Sequence, residues 1–266
     1  MDILIHTLSG TATAACIAAC AHTATRNRAR LILTGGFAAA FPDIDAFSLW
    51  SKFDSTIGKW LGLSASGHDI YFGKRWYSHH GFFHSILAAV FVALCYLLIR
   101  KLWHRKEAFT SYSSSSLTKI TFAVFFCAYL SHLAGDLPTP GGPWDGIRLF
   151  FPFSVYVGGW GYIWWWNNYD VFLCLLATNI LLITGIFLIP VRFNTFLKRA
   201  VLVVYITGCI LICYSIGNRK EDFAYSGNTL RYNYYEKVSM QEQFRILGPP
   251  LYRYLLKTDR RLPIHF

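Results

Sequence analysis

Acidic residues are scarce in this chain: 14 Asp and Glu stand against 25 Lys and Arg, and the four types together make only 15% of 266 residues. Where charge is missing matters more than how much. Five windows hold no Asp, Glu, Lys or Arg over a span near that needed to cross a bilayer: Ile3–Thr25, Trp76–Ile99, Ile120–Gly135, Val171–Val191 and Ala200–Asn218. A sixth, Leu31–Trp50, is broken only by Asp43 and Asp45. With 54% hydrophobic residues and a mean hydropathy of +0.35, this pattern excludes a soluble fold. It predicts an all-α polytopic membrane protein with about six transmembrane helices.

Other absences narrow the function. No cysteine lies outside the apolar runs, so the seven present (Cys16, Cys20, Cys95, Cys127, Cys174, Cys209 and Cys213) form neither a disulfide framework nor a zinc ribbon. The net charge of +11 comes with no nucleic-acid motif and no dense basic stripe, which leaves membrane lipids as the simpler partners. No Ser/His/Asp triad motif and no internal repeat stands out. The first window lacks the basic n-region of a signal peptide, since Asp2 is its only flanking charge, and reads as a retained helix.

Basic residues near the ends of the runs set orientation. Arg26, Arg28 and Arg30 follow the first run, Arg100, Lys101, Arg105, Lys106 and Lys119 follow the third, and Arg192, Lys198 and Arg199 follow the fifth. These connections are expected to be cytoplasmic. The N-terminus, the loop from about 51 to 78, the stretch from about 137 to 169 and the tail then face outward, although Lys52, Lys59, Lys74 and Arg75 run against the rule. Ser111 through Ser116 reads as a flexible linker, and Trp50 through Tyr77 as an interfacial segment or lid. Trp144 through Trp166 reads as an aromatic belt at the outer headgroups. The chain divides into a transmembrane region, 1–217, and a polar basic tail, 218–266.

The unusual polar residues gather on this frame. His6 lies near the outer end of the first helix, and Asp43 and Asp45 near that of the second. His79, His80 and His84 open the third helix, and His132 and Asp136 close the fourth, four apart on one helical face. Helices running in alternate directions thus deliver His and Asp to one side and a similar depth. Charged groups at membrane depth are default functional candidates, and a divalent cation offsets their burial. Mixed imidazole and carboxylate ligands suit zinc, with manganese or iron as alternatives, better than calcium or magnesium.

The expected ligands are His6, Asp43, Asp45, His79, His84, His132 and Asp136, for one ion or for two bridged by Asp43 or Asp45. Asp43, Asp45, His84 and Asp136 are the candidate catalytic residues, with a metal-activated water as nucleophile. Each has a plainer reading. His6 could start a helix at the interface, Asp43 and Asp45 could end one, and His80 could be a neighbour of ligands rather than one. Thr139 could bond a ligand carboxylate or cap its turn. His68 and Asp69 read as solvated loop, and His22, His104 and His265 as ordinary surface residues.

Four ordered motifs resemble the YdjM-like, LexA-regulated membrane-bound metal-dependent hydrolases. They are His6; Pro42-Asp43-Ile44-Asp45; His79-His80-Gly81-Phe82-Phe83-His84-Ser85; and Ser131-His132 through Asp136, Thr139, Pro140 and Gly142, with Phe151-Pro152 following. The resemblance covers about residues 1–155. It implies a bacterial inner-membrane location with a periplasmic site, and metal-dependent hydrolysis of a phosphoester or lipid-linked substrate. One position departs: His80 stands where the family has Arg, a natural phosphate contact. The rival readings are an ion transporter, whose site would lie near the midplane, and a metal that merely staples helices.

Overall fold

The computed structural model describes residues 1–21, 25–103, 113–188, 194–227 and 232–261. Among them run seven long helices: α1 (Ile3–Cys20), α2 (Thr25–Ala40), α3 (Ile86–Trp103), α4 (Ser113–Asp136), α5 (Tyr169–Leu188), α6 (Asn194–Gly217) and α7 (Tyr232–Asp259). Five of these, α1 and α3 to α6, are long and apolar enough to cross a membrane. The described residues contain no strand, only isolated bridges such as Ile147 with Val157. The fold is an all-α polytopic membrane protein.

The first helix forms the hub because its sequence is small. Asp2 caps it, accepting from the main-chain N–H groups of Leu4 and Ile5, and its Ala, Gly and Thr side chains let α2, α4, α5 and α6 all pack against it. The closest approach is to α2. A Cβ on Gly10 would fall 2.4 Å from both the Cβ of Ala39 and the main-chain oxygen of Gly35, and one on Gly35 would fall 2.3 Å from Ala14. Gly10/Ala14 and Gly35/Ala39 are therefore facing small-residue pairs, four apart on each helix. Polar ties lock the other contacts: the Asn179 amide donates to Leu8 O at 2.9 Å, Thr11 Oγ1 donates to Asn179 Oδ1 at 2.7 Å, and the hydroxyls of Thr13 and Tyr205 meet at 2.9 Å. Such bonds average about 0.6 kcal/mol each in membrane helices.

Several expectations change. The run Leu31–Trp50 is two elements, α2 and a 3-10 helix over Phe41–Leu49 with Pro42 in its first turn, where the missing N–H and fixed φ suit a helix start. The run from Trp76 becomes α-helical only at Ile86; before it come a turn, where a Cβ on Gly81 would fall 2.5 Å from Trp76 O, and a short 3-10 helix over Phe82–His84. His80 and His84 are thus not one turn apart on a helix. Ser113 through Ser116 belong to α4 rather than a linker, and residues 111 and 112 lie outside the described set. His22, His104 and His265 also lie outside it.

Of the tryptophans in the 144–166 stretch, Trp160 is exposed and Trp165 and Trp166 are partly so. Trp144 and Trp164 are buried, because polar acceptors elsewhere in the chain satisfy their indole N–H groups: Trp144 donates to Tyr71 O at 3.0 Å and Trp164 to Glu236 Oε2 at 2.5 Å. The tail past residue 218 contributes α7, which packs against α5.

Candidate metal centre

The site sits where α1 begins, α2 ends, α3 begins and α4 ends. Asp136 and His132 occupy the last turns of α4, on the face toward α1 and α2. His132 Nδ1 lies 2.7 Å from Ala39 O. A carbonyl only accepts, so this bond puts the proton of a neutral ring on Nδ1 and turns the Nε2 lone pair inward. His79 and His80 are held alike, with Nδ1 of His79 2.9 Å from Asp45 Oδ1 and Nδ1 of His80 3.0 Å from Gly146 O. Three rings held at Nδ1, leaving Nε2 free, is the orientation that partners behind metal-binding histidines commonly impose.

Four atoms converge at the centre. His132 Nε2 lies 2.9 Å from Asp136 Oδ2, 3.2 Å from His84 Nε2 and 3.5 Å from Asp43 Oδ1. His84 Nε2 lies 3.5 Å from both Asp43 Oδ1 and Asp136 Oδ2. Ligand atoms about 2.0–2.2 Å from a tetrahedral cation stand about 3.3–3.6 Å from one another. Four of the five separations are close to those edges, and the His132–Asp136 contact is shorter. Asp136 Oδ2 is buried with no hydrogen-bond partner, as are His84 Nδ1, His6 Nε2 and Asp45 Oδ2. Two carboxylates and inward lone pairs packed at these distances need either extra protons or a cation between them. The donor set and its spacing fit a divalent metal.

The remaining candidates surround this core. His6 stacks on His132 with ring centroids 3.7 Å apart, and its Nε2 is 3.1 Å from Asp136 Oδ1, which also accepts from the Met1 nitrogen at 2.7 Å. His79 Nε2 lies 4.0 Å from Asp43 Oδ1, so His79 borders the four-atom core on its Asp43 side. His79, His80 and His84 form a second group of buried donors, and His6, His132 and Asp136 a third. Asp45 sits behind His79 rather than in the core. Thr139 Oγ1 donates to the main-chain oxygen of Asp136 at 2.7 Å, so it caps the turn and leaves the carboxylate alone. His68 and Asp69 are exposed on a short helix, Gly67–Phe72, where they lie 3.8 Å from each other and His68 packs on Phe72.

Charge in the loop follows from burial and partner. Burial alone would lower the His79 imidazole, but the Asp45 carboxylate, with Asp43 beyond it, raises it above its usual value. His80 has no such carboxylate partner: burial, with His79 and His84 beside it, holds it well below that value. A neutral His80 supplies no fixed positive charge.

Residues 1–218 match the family model of the YdjM inner membrane proteins. The chain belongs to this family. The match extends past the motifs to the end of α6, so the YdjM region includes every helix that contributes to the centre, and α7 lies outside it. No curated protein and no solved structure matches the chain. Membership in an inner-membrane family and five membrane-length helices make this a multi-pass inner-membrane protein with buried His and Asp groups that could hold a metal ion.

Three contributors carried little sequence signal. Tyr71 stacks on His79 at 4.3 Å, Trp144 packs on His79 and His80 at 4.9 and 4.5 Å, and Tyr129 pins the histidine loop by donating to Phe83 O at 2.6 Å. Trp144 follows the Pro/Gly turn after Asp136, a position that could have marked it. Tyr71 and Tyr129 had no such marker.

Proposed function

We propose that this YdjM protein is a metal-dependent hydrolase of phosphoester or lipid-linked substrates, with its centre on the periplasmic side. The observation that carries the reading is the spacing of Asp43, His84, His132 and Asp136 around one point. These four would hold the ion, with zinc the first choice for two imidazoles and two carboxylates. A bound divalent ion would supply Lewis acidity and lower the pKa of a water. Asp45 would hold His79 in the tautomer that points Nε2 at Asp43, His79 would bind or orient the reacting group, and His6 would brace Asp136.

The side is supported by the basic residues Arg28, Arg30, Arg100, Lys101, Lys198 and Arg199, which cluster at the opposite helix ends. The amphiphilic substrate is supported by the 3-10 helix that carries the aspartates. Residues three apart share a face on such a helix. Pro42, Asp45 and Ser48 turn inward, whereas Ile44, Phe47 and the following Trp50 are exposed and continue the outward Leu33 and Phe37 of α2. One helix thickness would then separate the centre from acyl chains. Asp43, at 14% exposure, is the most accessible of the four core side chains.

One observation favours a second reading. Four protein ligands would close a tetrahedral shell, as in structural sites, and such a metal would staple α2, α3 and α4 without catalysis. An assay of metal-loaded protein on phosphodiesters, phospholipids and lipid-linked phosphates separates the two. Turnover lost in Asp43→Asn and His84→Ala supports the hydrolase. Stoichiometric metal with every substrate intact supports the staple. The centre's place at the helix ends, away from the midplane, speaks against a transport pathway.

A further inference from the structure

The segment beyond the YdjM region has its own relation to the centre. Residues 219–227 run across the loop that follows Asp136: Phe223 N donates to Gly161 O at 2.9 Å, Gly142 N to Tyr225 O at 3.0 Å, and Gly227 N to Gly142 O at 2.8 Å. Helix α7 then places Glu236 beneath the tryptophan run. Its carboxylate accepts from Trp164 Nε1 and Trp166 Nε1, both at 2.5 Å, and from Asn167 Nδ2 at 2.9 Å. Three donors on one carboxylate is a strong, directional tether. Trp165, fixed between its two anchored neighbours, fills the space at Gly142, where a Cβ would fall 2.7 Å from its ring, and meets Trp144 edge to face. Trp144 in turn lies against His79 and His80.

We infer that the C-terminal extension is a roof over the centre, with Glu236 its positioning residue, acting on His79 and His80 through Trp165 and Trp144. The inference rests on reading the His/Asp cluster as the functional site. The roof covers the face of His79 and His80 that Trp144 packs against, whereas Asp43, the most accessible core side chain, lies on the 3-10 helix that carries the outward apolar stripe. The roof therefore selects for ligands that arrive along the membrane and against small water-soluble ones. Nothing in the YdjM region could do this alone, since Glu236 lies outside it.

The test compares wild type, Glu236→Gln and Glu236→Ala, with Tyr205→Phe as a variant that loses its hydrogen bond to Thr13, away from the roof. Hydrogen exchange of metal-free protein is followed by mass spectrometry over the peptide spanning Ser78–His84. Glu236→Ala is expected to speed exchange there by about tenfold, the scale of one lost charge-assisted hydrogen bond, with α1 unchanged. Glu236→Gln, which keeps an acceptor oxygen, should fall between. In metal-loaded protein, Glu236→Ala should release its ion to aqueous EDTA faster at unchanged stoichiometry. Wild-type exchange over Ser78–His84 in Glu236→Ala, or a rise spread evenly over the chain as in Tyr205→Phe, overturns the roof. Metal-free wild type with no affinity for divalent ions would instead sink the metal reading while the exchange result still decides the roof.

Discussion

His132 Nδ1 lies 2.7 Å from the main-chain oxygen of Ala39, the same residue whose Cβ faces Gly10 across the α1–α2 crossing. The tautomer of a core histidine is therefore set by how closely two helices approach. A larger side chain at the crossing pushes Ala39 away and frees the ring. Gly35→Leu should cost about 1–3 kcal/mol or more by overpacking and also weaken metal retention. Thermal unfolding in detergent and metal analysis check this; a variant that unfolds earlier yet keeps its full metal content would uncouple the crossing from the site.

That His6, the two aspartates, His84, His132 and Asp136 meet at one end was legible because the turns alternate: each helix end is fixed by the charge-free runs, and only one end of each carries these residues. The i,i+4 pair His132 and Asp136 could be read directly, since a helix places both on one face. Asp45 could not be separated from Asp43. Their difference comes from a 3-10 helix, whose period of three sends Asp45 inward with Pro42 and Ser48, and nothing in a two-residue spacing announces that geometry. The burial of Trp164 was not legible, because an indole beside a membrane run looks interfacial until its hydrogen-bond acceptor is known. That acceptor, Glu236, is 72 residues from Trp164 in the chain.

Asp45→Asn tests the holding role given to Asp45. It should keep the ion and bind it at most about tenfold more weakly, because Asp45 holds His79 and none of the four core ligands. Competition against a chelator of known affinity measures this. Complete loss of metal would place Asp45 in the core instead of behind His79.

Acid should empty the site. Imidazole ligands must be unprotonated, so protons compete with the ion for His84 and His132 as the pH falls toward the ordinary imidazole value of about 6.5. His79, raised by Asp45, takes up its proton earlier and adds positive charge beside Asp43. Metal retained after dialysis should be complete near pH 8 and fall steadily on the acid side of neutrality. Retention that stays flat down to about pH 5 would contradict histidine ligation.

Arg219 joins the start of α5 to α7 through buried charges, 2.7 Å from Asp170 Oδ1 and 2.8 Å from Glu242 Oε2. Removing it leaves both acids unpaired, at a cost of about 3–5 kcal/mol. Arg219→Ala should lower the unfolding temperature markedly in a detergent scan. An unchanged temperature would mean that the tail is not braced at this point.

The most direct test of the account is X-ray absorption of protein purified with its native metal, beside quantification per chain. The account predicts at least one divalent ion per chain with a shell of nitrogen and oxygen only, two imidazoles among its ligands, and loss of the ion in His132→Ala and Asp136→Asn. A chain that carries no stoichiometric metal, or a shell containing sulfur from the cysteines, would contradict it.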